Sequence, residues 1–225
     1  MIVAVGDTTR EDFMPALRFG SLTRLFDPVV AATTRERAFK RQVIELADIR
    51  EGEAVLDLGC GTGTLALMAY EDEPGAEIVG LDADTEILAT ARDKAATRGA
   101  RIEFDAGMSV EMPYGDARFD VALSTLFFHH LSDSDKRGTA AEVLRVVKPG
   151  GRLVVADVGK PQDPVMRLTA LATVQLLDGF PTTSLNVAGK LPALLGYAGF
   201  ENVGVVHRLR TPVGTIEVLT ANRPA

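Results

Sequence analysis

Residues 53–64, EAVLDLGCGTGT, decide the architecture, because a short apolar segment leads directly into a glycine-rich turn. Residues 55–58 predict a buried strand, residues 59–63 predict a tight turn, and Thr64 begins a predicted helix. Glycine tolerates positive φ and lets a ligand approach the backbone, while the helix N-terminus offers unpaired N–H groups to an anionic group. Glycine turns also occur for structural reasons alone, so this motif by itself leaves both interpretations open.

From this turn onward, strands and helices alternate along the chain. Strands are predicted at 77–81, 101–104, 119–124 and 152–158, and helices at 64–70, 85–98, 133–147, 163–177 and 191–198. Residues 148–151, KPGG, predict a turn, and residues 201–208 and 213–220 predict a closing antiparallel pair. Apolar residues at helical spacing indicate helices in the first fifty residues. Such alternation is typical of a mostly parallel sheet with helices on both faces, whose ligands bind at the carboxyl ends of the strands.

Composition and charge narrow the class of protein. The 225 residues suit a single domain, and 46% hydrophobic with 24% charged residues are ordinary globular values. The formal net charge of −7 disfavours nucleic acid as a partner, because binders of phosphate backbones usually carry a basic patch. The one dense basic stretch, residues 35–41, lies in a helical pattern and predicts a solvated helix face.

The cysteine count and the hydropathy pattern limit the chemistry and the location. Cys60 is the single cysteine, which excludes an intramolecular disulfide and a thiolate-rich zinc site, and no metal site is expected. No apolar run approaches the ~18 residues that a membrane span needs, and the first residues do not resemble a signal peptide. We therefore expect a cytoplasmic protein without stable membrane insertion.

Asp82 is a candidate ligand-binding acid because it ends the second predicted strand, 19 residues (82 − 63) after Gly63. An acidic side chain at this place can accept hydrogen bonds from both hydroxyls of a ribose. The alternative is that Asp82 caps the next helix, but Asp84 and Thr85 are better placed to do so.

Two further aspartates lie at strand ends. Asp57 is charged within an apolar strand, so it needs a partner: a ligand ammonium group, backbone N–H groups of the turn, or water. Asp105 follows the third predicted strand and could accept a hydrogen bond from an exocyclic amine, with Ala106 and Met108 as the apolar wall of a base pocket. The alternative for Asp105 is a loop acid that faces solvent.

Taken together, these motifs resemble class I S-adenosylmethionine-dependent methyltransferases. Residues 53–64 resemble motif I of that family, and Asp82 falls where the family keeps its ribose-binding acid. Residues 105–106 with 112–114 and 118–120 resemble its adenine loop and fourth strand, and residues 144–153 resemble the turn before its fifth strand. The resemblance covers about residues 36–158 and 198–200, and it is nearest to the ubiquinone/menaquinone-biosynthesis and phosphatidylethanolamine type methyltransferases.

The resemblance implies an α/β, Rossmann-like, mostly parallel seven-stranded sheet of order 3-2-1-4-5-7-6. The last strand would be antiparallel, helices would cover both faces, and an N-terminal helical extension would precede the sheet. Residues 1–225 would form one methyltransferase domain: a helical substrate or lid segment (1–50), a cofactor-binding core (51–158), and substrate-side helices with a C-terminal hairpin (159–225).

The resemblance also implies S-adenosylmethionine as cofactor, with S-adenosylhomocysteine as the product. The turn residues would approach the methionine part of the cofactor, Asp57 would hold its ammonium group, and Ser124 would lie beside the same moiety. Asp82 would bind the ribose, Ala83 would pack on the adenine, and Asp105 with Ala106 would contact the adenine edge. The implied turn residues are Gly59, Cys60, Gly61 and Gly63.

Methyl transfer from a sulfonium is an in-line displacement, in which the protein mainly positions the acceptor and excludes water. A base helps only if the acceptor is a hydroxyl or an acidic carbon. His129 and His130 follow the fourth strand and are the candidates for that base. The alternative is a structural turn in which one histidine bonds to backbone. His207 lies in the predicted hairpin and is expected to be structural.

In this fold the acceptor is usually selected by the N-terminal helices and by the segment after the fifth strand. Residues 13–26 and 166–186 are rich in Leu, Phe and Met, which predicts an apolar pocket or lid over a small-molecule acceptor, or alternatively plain helix packing. Lipid and quinone members of the family often carry a tyrosine near Phe26 and Asp27, where this chain has phenylalanine. The resemblance does not identify the acceptor.

Three other functions compete with methyl transfer. A nicotinamide dehydrogenase would need G-x-G-x-x-G, whereas here the sixth position is Thr64 and the third glycine comes one residue early. A nucleic-acid methyltransferase is disfavoured by the acidic charge and by the lack of an Asn/Asp-Pro-Pro-Tyr or paired-cysteine motif. A protein that binds the cofactor without methylating would share all the binding motifs, so the sequence leaves it open.

Overall fold

The computed structural model describes residues 36–177, 179–212 and 214–225, except for the side chain of Leu177. Its strands are β1 Ala54–Leu58, β2 Glu77–Asp82, β3 Ile102–Ala106, β4 Phe119–Thr125, β5 Val147–Val158, β6 Glu201–Thr211 and β7 Gly214–Asn222. They form one sheet of order β3-β2-β1-β4-β5-β7-β6. The last strand, β7, is antiparallel to both β5 and β6, and the other neighbours are parallel. The predicted fold class and strand order are confirmed.

Helices cover both faces of this sheet. They are α1 Glu36–Ala47, α2 Thr64–Asp72, α3 Thr85–Thr97, α4 Asp133–Val146, α5 Pro164–Ala172, α6 Val174–Leu177, α7 Phe180–Val187 and α8 Leu191–Ala198, with a 3-10 helix at Phe128–His130. Buried side chains of α1, α2 and α3 pack on one face, and those of α4 and α8 pack on the other. No helix within the described part of the chain combines the length and apolarity that crossing a membrane requires.

The segment after β5 differs from its prediction. A single helix was expected at 163–177, but the backbone breaks at Thr173 between α5 and α6. The start is as expected, because the Met166 N–H donates to the Asp163 side chain at 2.9 Å, with Pro164 in the first turn. The additional helix α7 begins with Phe180 and Pro181 and contains threonines and a serine, residues of modest helix propensity, so its sequence gave only a weak helical signal.

Two strands are also longer than predicted. The third strand ends at Ala106, so Asp105 lies inside β3 and does not follow it. The fifth strand begins at Val147, so the KPGG segment predicted as a turn belongs to β5. Gly150 does take positive φ, but backbone bonds hold the segment extended: its N–H donates to the carbonyl of Arg223 at 3.1 Å, and the Arg223 N–H donates to Gly151 at 2.9 Å.

The predicted solvated basic face of α1 is wrong for one residue. Arg37 and Arg41 are exposed, but Lys40 is buried and pairs with the buried Glu36 one turn earlier. A buried ammonium group needs such a partner, because its desolvation is costly. Arg35 and the apolar segment 13–26, with Phe26 and Asp27, lie outside the described residues.

Candidate active site

The glycine-rich turn joins β1 to α2, and three of its residues take positive φ: Gly59, Gly61 and Gly63. A Cβ on Gly59 would lie 2.3 Å from Phe127 Cδ2, so only glycine fits beside that ring. A Cβ on Gly61 would meet nothing nearer than Ile87 Cδ1 at 3.9 Å. The turn is therefore closed by packing at Gly59 and open at Gly61, where a ligand can approach the backbone.

Gly63 and Cys60 face the interior. A Cβ on Gly63 would lie 2.9 Å from Phe104 Cζ and 3.1 Å from the Ala91 Cβ, so this glycine lets α2 pack against β3 and α3. The Cys60 thiol is buried close to Gly80, and burial raises its pKa. A protonated thiol in the core offers a ligand no nucleophile, so Cys60 contributes to the turn through its backbone.

Asp57 is the central charged group of the turn. Its side chain is 1% exposed, and Oδ2 accepts the Ala66 N–H at 3.0 Å. Oδ1 has no hydrogen-bond partner among the described residues. Burial raises the pKa of Asp57 to about 7, against the opposing influence of the Lys40 ammonium and the Ala66 N–H. One oxygen of this carboxylate therefore binds the first turn of α2, and the other is buried without a partner among the described residues.

Asp82 lies at the end of β2 and supports the same turn. Oδ2 accepts the Gly61 N–H at 2.9 Å, and Oδ1 accepts the Asp84 N–H at 3.0 Å. Asp84 itself caps α3, with its side chain accepting from Glu86 and Ile87, as the sequence indicated. Each oxygen of Asp82 retains a further lone pair, so the carboxylate can still accept from a diol. Burial raises the pKa of Asp82.

The third strand ends beside the second, next to Asp82. Ala106 pairs with Asp82 in the register of β2 and β3, which places the ends of these strands side by side. Asp105 is half-buried and accepts the Tyr114 hydroxyl at 3.0 Å, so it is not the solvent-facing acid of the alternative prediction. Burial and the neighbouring Asp105 raise the pKa of Tyr114, which keeps its proton in this bond. Ala83, directly after β2, is half-buried.

Ser124 is completely buried near the end of β4. Its hydroxyl donates to the Leu58 carbonyl at 3.1 Å, across the register in which the two residues pair. This bond fixes the end of β4 beside the glycine-rich turn.

Beyond β4 the chain turns sharply into the 3-10 helix that carries both histidines. Leu126 takes a φ of 52°, a strained value for a branched side chain, and its N–H donates to Ala156 at 2.8 Å. Nδ1 of His129 lies 2.7 Å from Asp157 Oδ1, and both side chains are almost fully buried. The two imidazole rings lie 3.9 Å apart, and burial lowers the pKa of His130 well below its usual value.

Comparisons of the sequence with known proteins show which family it resembles. A family model of a methyltransferase domain matches residues 55–151. A demethylmenaquinone methyltransferase of Thermus thermophilus is 39% identical over 123 residues, 55% of this chain and 55% of that protein. Another, of Paenarthrobacter aurescens, is 33% identical over 175 residues, 77% of this chain and 65% of that protein.

The chain carries, at residues 55–151, a methyltransferase domain with the fold of the class I S-adenosylmethionine-dependent methyltransferases. It covers less than two thirds of the length of these two curated relatives. The solved structure of the YcgJ protein from Bacillus subtilis has the same fold, with a TM-score of 0.67 at 20% identity over 83% of this chain and 98% of that one.

The residues present suit the cofactor of this methyltransferase family. S-adenosylmethionine carries an ammonium group, a carboxylate and a ribose diol. Asp57 Oδ1 is a buried acceptor that a ligand ammonium can satisfy, Asp82 can accept from the diol, and the open backbone at Gly61 leaves room beside both. The ammonium would also restore the charge of Asp57, because an opposite charge favours the ionised form.

Sequence reasoning missed two charged residues near the candidate site. Asp157 is the second-last residue of its strand and follows an apolar run, as Asp57 does, and this shared pattern was a usable signal. Its carboxylate accepts from the Phe127 N–H at 3.2 Å and the Val158 N–H at 2.6 Å, in addition to His129. Lys40, on α1, acts electrostatically on Asp57. Lys40 lies at the same helical spacing as buried apolar residues of α1, and this was the only signal in the sequence that its side chain is buried.

Proposed function

We propose that this protein transfers a methyl group from S-adenosylmethionine to a small-molecule acceptor. The observation that carries the proposal is Asp57 Oδ1, a buried carboxylate oxygen without a partner among the described residues, beside a glycine turn that is open at Gly61. A buried carboxylate oxygen without a partner is costly, so one that lies beside an open stretch of backbone favours a cationic ligand group at this place.

In this proposal the chain's own residues bind the cofactor and orient it. Asp57 fixes the ammonium end of the cofactor and Asp82 fixes the ribose, while Asp105 with Ala106 borders the adenine at the end of β3. Ser124 holds β4 against β1, which keeps the two halves of the site in register. Bound in this way, the cofactor supplies an electrophilic methyl group whose transfer needs alignment with the acceptor and exclusion of water.

His129 is the proposed base for an acceptor that must lose a proton. Asp157 holds Nδ1 of the ring, so Nε2 is the nitrogen that points away from Asp157. The acceptor proton would pass to Nε2 as the acceptor oxygen or carbon takes the methyl group, and the S–CH₃ bonding pair stays on sulfur. His130 is kept uncharged by burial and is the second candidate. The opposing explanation is that the buried His129–Asp157 pair only supports the turn.

The acceptor is proposed to be an apolar small molecule. The two curated relatives described above are named as methyltransferases of demethylmenaquinone, an apolar quinone, and the helices after β5 leave Leu168, Leu176 and Phe180 largely exposed. A reduced naphthoquinone is therefore the first acceptor to test.

Calorimetry with the purified chain tests the cofactor, with NAD as the control ligand. Saturable binding of S-adenosylmethionine and S-adenosylhomocysteine without NAD supports the proposal, whereas binding of NAD alone would overturn it. A second assay follows transfer of labelled methyl to 1,4-dihydroxynaphthalene. Cofactor binding with no methylated product from any acceptor of a broad panel would instead favour a protein that binds the cofactor without methylating.

A further inference from the structure

Asn186, on α7, is a buried amide whose side chain has no hydrogen-bond partner within the described part of the chain. Its side chain is 1% exposed, and neither Oδ1 nor Nδ2 has a hydrogen-bond partner among the described residues. Thr183, one turn earlier on the same buried face, is satisfied locally, because its hydroxyl donates to the Gly179 carbonyl at 2.7 Å. Buried polar atoms are almost always paired, so an amide that is unpaired at both ends calls for a ligand or a water.

The position of α7 puts this amide beside the proposed reacting face. The helix packs against the 3-10 helix Phe128–His130 and against β5, the elements that carry His129 and Asp157. Lys136, which is fully buried on α4, joins the end of the 3-10 turn to α7. Its Nζ donates to the Leu131 carbonyl at 2.6 Å and to the Thr182 carbonyl of α7. The buried face of α7 is thereby held against the turn that bears the histidines.

The chemistry of the amide limits what it can bind. It offers one acceptor and two donors without charge, which matches a group that both donates and accepts, such as a hydroxyl, or a neighbouring hydroxyl and carbonyl. A phosphate would need a cationic or multi-donor site, and an ammonium group would need an acidic one. Lys136 is the buried cation near this turn, and two backbone carbonyls already engage its ammonium group.

We propose that Asn186 binds the methyl acceptor through an uncharged oxygen of a hydroxyl or carbonyl group. This inference rests on the proposed function, since it names the acceptor of that same site. It predicts rejection of amines and phosphorylated acceptors, because a site built to hydrogen-bond a neutral oxygen loses its pairing with them.

Nuclear magnetic resonance of the whole, unaltered chain can observe this amide directly. The sequence contains only three asparagines and three glutamines, so six side-chain amide pairs are to be assigned. The ¹⁵N-labelled protein is saturated with S-adenosylhomocysteine and titrated anaerobically with 1,4-dihydroxynaphthalene. The Asn186 amide pair should shift saturably, while Asn202 and Asn222 should stay in place. Two matched probes serve as controls: naphthalene, which lacks the oxygen, and 1-naphthylmethylammonium, which carries a positive charge.

Each outcome decides the proposal. Saturable shifts elsewhere with an unmoved Asn186 pair, or no binding of the hydroxylated probe at all, would overturn it. An equal response to naphthalene would also overturn it, because the oxygen would then be irrelevant. Binding of S-adenosylhomocysteine in the same sample is scored separately, so failure at Asn186 is distinguishable from failure of the proposed function.

A pair of variants gives the kinetic test. Asn186→Leu keeps the volume and removes the amide, and we expect the KM for the acceptor to rise about tenfold, as expected for loss of one or two neutral hydrogen bonds. The unfolding temperature should not fall, and the S-adenosylhomocysteine Kd should stay within about twofold. Thr215→Val is the control, because it removes another buried hydroxyl without a partner in the described chain, on β7. An unchanged KM in Asn186→Leu would contradict the proposal.

Discussion

Cofactor binding should depend steeply on pH because of Asp57. Burial raises the pKa of this carboxyl to about 7 in the protein without ligand, whereas in an unfolded chain it would titrate near 4. A raised pKa in the folded state means that the folded protein holds a proton which the unfolded chain has lost. The stability contributed by that proton is complete below pH ~4 and is lost as pH rises through about 7.

Binding of an ammonium group reverses this shift, because the cation favours the ionised carboxylate. Below pH 7 the cofactor must therefore displace a proton from Asp57, and its affinity falls as pH falls. For a pKa of about 7, the ionised fraction changes about tenfold between pH 8 and pH 6, equivalent to about 1.4 kcal/mol. The Kd for S-adenosylhomocysteine should thus be about tenfold higher at pH 6 than at pH 8.

Calorimetry at pH 6, 7 and 8 measures both the Kd and the protons released, if each pH is run in two buffers of different ionisation enthalpy. We expect release of close to one proton at pH 6 and almost none at pH 8. Asp57→Asn is the control: it binds more weakly and removes the slope, and any slope that it retains comes from titration of the ligand. A Kd for the natural chain that is flat across this range, or a slope shared by Asp57→Asn, would refute the role of Asp57.

Three further predictions follow from the same geometry. Gly61→Ala should raise the cofactor Kd while the chain still folds. Gly63→Ala should lower the unfolding temperature, because a Cβ has no room there. Similar unfolding temperatures in the two variants would contradict the assignment of Gly61 to the ligand and of Gly63 to packing. Asp157→Asn should lower turnover and change its pH profile if His129 is a base, but should lower only stability if the pair is structural. Lys136→Met should destabilise the chain to urea by about 3 kcal/mol, since two bonds from a charged donor are lost, and an unchanged urea midpoint would contradict that assignment.

A mostly parallel sheet could be predicted because its signals are local, whereas the order of its strands came from the resemblance to a known family. The glycine turn after β1 and the alternation of apolar segments with helical ones specify the core without knowledge of distant contacts. The segment after β5 was harder, since Thr173 interrupts a pattern that looks continuous, and α7 contains threonines and a serine that favour no regular structure. Lys40 was assigned to solvent because a lysine on a helix usually is exposed, and only the packing of α1 against β5 and α2 shows otherwise.

The candidate cofactor side of the site has clearer sequence signals than the candidate acceptor side. Asp57, Asp82 and Ser124 lie at strand ends, which the parallel sheet must bring to one edge, so sequence position and chemistry coincide. Asp157 and His129 are separated by 28 residues, and their bond depends on the strained turn at Leu126. Such long-range pairing has no periodic signal in one sequence.

Asp57 and Asp157 show why the three-dimensional arrangement is needed to tell a carboxylate that is available to a ligand from one whose oxygens are used within the protein. Both are 1% exposed, and both lie near the carboxyl ends of buried strands. Asp157 accepts from two backbone N–H groups and pairs with an imidazole, so each of its oxygens is used within the protein. Within residues 36–177, 179–212 and 214–225, one oxygen of Asp57 and the whole side-chain amide of Asn186 have no hydrogen-bond partner. Buried polar atoms are costly to leave unpaired. Asp57 adjoins the glycine-rich turn, and Asn186 lies on the helix that packs against the turn with the histidines, so these two groups are the proposed positions of a cationic cofactor group and an uncharged acceptor oxygen.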